Sequence, residues 1–129
     1  MGKLEWQESW SVGNSDLDND HKRLVEIIQS IGAYRPQSAD IGHLFAELED
    51  YTKYHFAREE KLMEDAKLPD ITGHLEFHRD FIEWLHSVRY AMTMSRESRD
   101  ILLESVDEYL QNWLTHHILE TDMKYRGLI

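Results

Sequence analysis

The chain has 129 residues and a formal net charge of −11, so it is sized for one domain over 1–129 and repels nucleic acid and anionic membrane surfaces. It has no cysteine, which excludes disulfides, thiolate catalysis, iron–sulfur clusters and thiolate zinc sites. The opening MGKLEWQESW lacks an apolar signal core and no run approaches the ~20 apolar residues of a membrane span, so the expectation is a cytoplasmic protein without membrane insertion.

Only two prolines and six glycines interrupt the chain, and four helices can be read in it. The first fifteen residues, with Trp6, Trp10 and Gly13, read as an irregular arm whose tryptophans pack on the rest. Ser15 and Asp18 have the spacing of a capping box, which starts a first helix over about 16–31. Residues 32–38, including Pro36, read as a connection. A second helix is expected over about 39–66, ended by Pro69, and a third over about 71–93. The polar run SRESR separates the third from a fourth helix over about 97–125.

Each helix carries a stripe of inward positions at steps of three and four. The first offers Leu17, His21, Leu24, Ile28 and Ile31, and the second Ile41, Phe45, Leu48, Thr52, His55, Glu59 and Leu62. The third offers Ile71, His74, His78, Phe81, Leu85, Val88 and Met92, and the fourth Leu103, Val106, Leu110, Trp113 or Leu114, and His117. Four such helices with short connections predict an all-α, up-down-up-down four-helix bundle.

Five histidines and one glutamate on apolar stripes are the anomaly. Each buried, unpaired polar group costs a few kcal/mol, against a net stability of roughly 5–15 kcal/mol. Metal ions would compensate. His55 and Glu59, and again His74 and His78, are four apart and share a helix face. In an up-down bundle all these positions come to one level, off-centre toward the connection between the second and third helices. Spacing leaves Asp122 open, because five residues after His117 is about 140° around an α-helix. A side chain reaching back, or a local helix irregularity, would be needed. His116 is the rival ligand, but it falls at the outer edge of the stripe and is assigned to the surface. His43 and His86 are assigned there too, and the Glu83–His86 pair is read as coincidence.

Four segments carry a resemblance: LDNDHKRL around His21, HFAREEKLM around His55 and Glu59, HLEFHRDF around His74 and His78, and WLTHHILETD around His117 and Asp122. In these the chain resembles the hemerythrins, most closely the single-domain bacterial ones. The resemblance implies two non-haem iron ions. One would be held by His74, His78 and His117. The other would be held by His21 and His55 and keep an open position. Glu59 and Asp122 would bridge the two, together with a solvent-derived oxo or hydroxo group. It further implies that Leu24, Phe56, Trp113 and Leu114 line a pocket for the bound gas.

The function implied is reversible dioxygen binding, for carriage, storage or delivery, without catalytic residues. A protein that receives the oxygen is a possible partner. Alternatives are a di-iron redox enzyme that reduces nitric oxide or peroxide, and an oxygen- or iron-sensing module. Oxygen-activating di-iron sites are richer in carboxylate, whereas a histidine-rich set favours keeping the O–O bond.

Overall fold

The first helix, α1 (Ser15–Gly32), begins where Asn14 leaves extended backbone and its side-chain oxygen accepts from the peptide N–H groups of Asp16 and Leu17. The cap is thus Asn14 and not the Ser15–Asp18 box expected from the sequence. Asp18 instead reaches back into the arm, where it accepts from the Val12 peptide N–H at 2.9 Å and the Ser11 hydroxyl at 2.5 Å. That fold-back buries Val12 completely, with Gly13 at φ 83° turning the chain into the helix. Upstream, Trp10 packs on the core, Trp6 meets it edge to face at 5.9 Å, and Leu4 is buried.

The structure, a computed structural model, describes residues 4–33, 41–69, 71–94 and 96–128, and their side chains except those of 93–102. The expected connection over 34–38 and the start of the second helix at 39–40 lie outside these. The remaining helices are α2 (Ile41–Asp65), α3 (Thr72–Met94) and α4 (Arg96–His116). The main contacts run α1 to α2, α2 to α3, α3 to α4 and α4 back to α1, so consecutive helices are neighbours around a closed four-helix bundle. Among the described residues there is no strand, and no helix is long and apolar enough to cross a membrane.

Two boundaries differ from the sequence reading. The second helix is not ended by Pro69. Lys67 takes φ 54°, its peptide N–H bonds to the Glu64 carbonyl, and that of Leu68 bonds to the Met63 carbonyl. This is a Schellman turn, and its usual apolar contact is present because Leu68 packs with Met63. Leu62, placed on the inward stripe, is only half-buried, and Met63 takes the core position. The fourth helix is not continuous to Tyr125. It changes to a π-helix at His117–Thr121 and then to a 3-10 turn at Asp122–Tyr125. It also starts at Arg96, inside the polar run.

The core is divided. A large cluster built on Leu24, Ile28, Phe45, Leu48, Phe81, Leu85, Leu110 and Leu114 fills most of the bundle. A small one of Val12, Leu17, Met63 and Tyr125 closes the end by the α2–α3 turn. The polar stripe positions lie between them.

A lysine in the left-handed region costs roughly 1–2 kcal/mol that glycine avoids. Lys67→Gly is therefore expected to raise stability by up to about 1 kcal/mol, the remainder being lost to the freer unfolded chain. Denaturant unfolding checks this, and a destabilised variant would contradict it.

Candidate metal centre

α1 carries His21 and α2 carries His55 and Glu59, all with 0% exposure. α3 carries His78, 2% exposed, and His74, whose side chain is 11% exposed. His117 opens the π-helix, and Asp122 follows it; both are fully buried. The irregularity that five-residue spacing demanded is this π-turn. The Asp122 peptide N–H bonds to the His117 carbonyl, one residue farther than in an α-helix, so Asp122 comes round onto the face of His117. Asp122 Oδ2 lies 2.8 Å from His117 Nε2.

The two carboxylates span the group. Glu59 turns Oε1 toward His74 Nε2 at 2.5 Å and His78 Nε2 at 3.1 Å, and Oε2 toward His55 Nε2 at 3.0 Å. Asp122 turns Oδ2 toward His21 Nε2 at 2.9 Å and Oδ1 toward His74 Nε2 at 3.5 Å. The donor atoms form two convergent sets within 4.8 Å: His21, His55, Glu59, His117 and Asp122, and Glu59, His74 and His78. His117 thus gathers with His21 and His55 here, whereas the resemblance assigns it to the iron of His74 and His78. Its ring lies between the halves, 5.5 Å from that of His55 and 5.7 Å from that of His78.

Do these residues fit a metal? His21 Nε2, Glu59 Oε2 and both Asp122 oxygens are buried without a hydrogen-bond partner. His21 Nε2 lies 2.9 Å from Asp122 Oδ2 and Glu59 Oε2 lies 3.0 Å from His55 Nε2, yet neither pair is aligned to donate and accept. Each such group costs about 1–3 kcal/mol. Lone pairs that converge on shared points are what cations accept. Imidazole and carboxylate suit iron, and equally zinc, manganese or cobalt. The set fits.

The charges agree. Burial opposes a proton on His117, but Asp122 and Glu59 outweigh it and raise its pKa to about 10. Burial penalises the Glu59 carboxylate too, and His117 and its neighbours still hold it well below the ordinary value. Burial pushes His21 below its usual pKa. The proton that the two carboxylates hold on His117 occupies the place a cation would take.

Sequence reasoning missed the residues behind the ligands. His55 Nδ1 lies 3.0 Å from Asp20, and His78 Nδ1 lies 3.0 Å from Glu60. The Tyr125 ring stacks on His74 at 5.6 Å. Burial raises the Tyr125 phenol pKa, as do the Glu59 and Asp122 carboxylates. Adjacency to His21 was the one available signal for Asp20, and it does not say which helix the carboxylate meets. Phe56 stacks on His78 at 3.7 Å, and Trp113 stacks on His117 at 5.0 Å. Leu24 and Leu114 are fully buried in the same large cluster. His43 and His86 are exposed, and His116 faces Glu120 at the surface.

A helical bundle whose core holds convergent histidines and two spanning carboxylates defines a metal-binding bundle protein. The profile described as "Hemerythrin HHE cation binding domain" matches residues 12–129. The chain is 35% identical to the protein named Bacteriohemerythrin from Pseudomonas aeruginosa (strain LESB58), over 97% of this chain and 80% of that one. It is 32% identical, over the same shares, to Bacteriohemerythrin from Stenotrophomonas maltophilia (strain R551-3). Myohemerythrin-1 of Phascolopsis gouldii is 30% identical over 95% of this chain and 91% of its own. The chain belongs to the hemerythrin family.

Stripping bound metal should lower the melting temperature by several degrees, because the buried ligands lose their partner. His55→Ala and His78→Ala should reduce metal content, while His43→Ala should not. Metal analysis and thermal unfolding decide it; equal stability with and without metal would speak against a metal role.

Proposed function

We propose that the chain forms one domain that binds dioxygen reversibly at a non-haem di-iron centre. The supporting observation is the set of seven converging side chains, six of them buried and His74 nearly so, five of them imidazoles, with carboxylate oxygens turned to both halves. Two non-haem irons held by these residues would supply the reversible electron transfer that dioxygen binding and release require. Glu59 and Asp122 would span the pair. His74, His78 and His117 would fill one iron's coordination, and His21 and His55 would leave a position open on the other.

The chain's own part is to hold the ligands rigid and keep water out. Leu24, Phe56, Trp113 and Leu114 supply an apolar wall from the large cluster, and the rings of Phe56 and Trp113 fix the planes of His78 and His117. A bound gas needs no general acid or base, so no side chain is assigned a catalytic role. The setting would be cytoplasmic, with dioxygen as ligand and a recipient protein as the further partner.

The test is anaerobic reduction followed by repeated exposure to and removal of oxygen, watched by visible absorption. Reversible cycling at two irons per chain is expected. One-way oxidation, or consumption of nitric oxide or peroxide with turnover, would favour the redox-enzyme alternative.

Leu114→Ala should retain both irons and autoxidise several-fold faster, because the shortened side chain admits water. Decay of the oxygenated spectrum in air reads this. A wild-type rate at full iron content would place the gas pocket elsewhere.

A further inference from the structure

One carboxylate buried beside the ligand layer belongs to none of the convergent sets. Asp20 follows the non-ligand face of α1 while its neighbour His21 enters the centre, and its side chain is 4% exposed. Its Oδ2 lies 3.0 Å from His55 Nδ1, across the α1–α2 interface. The Tyr51 hydroxyl donates to Oδ1 at 3.0 Å, and Arg58 Nε stands 3.5 Å from Oδ2. Tyr51 and Arg58 both come from α2, so the helix that carries His55 also grips the carboxylate that holds it.

The other ligand imidazoles are treated differently. His21 Nδ1 and His117 Nδ1 are buried without a hydrogen-bond partner. His78 Nδ1 faces Glu60, whose side chain is 39% exposed and therefore screened by water. Of these four, His55 alone donates to a carboxylate that is itself buried.

We infer that Asp20 is a positioning residue that fixes the tautomer of His55 and strengthens it as an electron donor to the metal, making the His21–His55 half of the centre the more electron-rich. The inference rests on the reading of these histidines as iron ligands. With the proton held on Nδ1 by Asp20, the Nε2 lone pair points inward. A carboxylate behind an imidazole also raises its basicity, and the more basic ligand favours the more highly charged metal. This is the half that the proposed function leaves open to dioxygen, so Asp20 would set how readily that iron gives up an electron.

The experiment uses the iron-loaded chain and its Asp20→Asn and Asp20→Ala variants. Asp20→Ala should weaken iron(II) retention against a chelator by roughly 10–100-fold under anaerobic conditions. Asp20→Asn keeps an acceptor and removes the charge. It should retain two irons and the wild-type melting temperature, and favour the ferric state about tenfold less, an upward shift of about 59 mV per electron. A merely structural role would lower the melting temperature of both variants and leave the potential of Asp20→Asn unchanged. That result overturns the inference, as does unchanged iron retention in Asp20→Ala. Wild-type chain that holds no iron overturns the metal reading, and the inference with it.

Discussion

Seven polar side chains lie where a helical bundle ordinarily packs leucine, and the rest of the structure is arranged around satisfying them. A buried carboxylate or imidazole is tolerable only when its lone pairs and protons find partners. Here His21 Nε2, Glu59 Oε2 and both Asp122 oxygens are buried without a hydrogen-bond partner, and a shared cation is the partner their chemistry asks for. The requirement reaches outward. It fixes the register of α1 against α2 through Asp20 and His55, and it bends the last helix out of α-geometry so that Asp122 can meet His117.

Much of this was legible in the sequence. Leu17, His21 and Leu24 fall on one stripe because a helix repeats every three to four residues, and the same arithmetic placed His55 with Glu59 and His74 with His78. What failed was local. The Schellman turn at Lys67 was hidden because lysine rarely adopts a left-handed backbone, and Pro69 offered a plainer stop signal. The cap at Asn14 was hidden behind Ser15 and Asp18, whose spacing matches a capping box.

Asp122 marks the boundary between the two kinds of information. Regular α-geometry turns it about 140° from His117, so periodicity alone could not choose between ligand and surface acid. Nothing in HILET announces a π-turn, since its cause is tertiary: the end of α4 must present both His117 and Asp122 inward. The partners of Asp20 were invisible for a related reason. Contacts between helices depend on their rotation and rise, which no single-helix pattern encodes.

The division of the core carries a consequence for cooperativity. The small cluster of Val12, Leu17, Met63 and Tyr125 gathers the arm, the start of α1, the end of α2 and the C-terminal turn, and the ligand layer stands between it and the large cluster. Among the described residues the buried apolar side chains fall into two separate clusters, so the two ends communicate across the polar layer. Loss of metal would uncouple them and leave the small end as a separate opening unit, fraying below the free energy of global unfolding while the far end stays closed. In this bundle the metal would act as the link through which two modest hydrophobic cores melt as one.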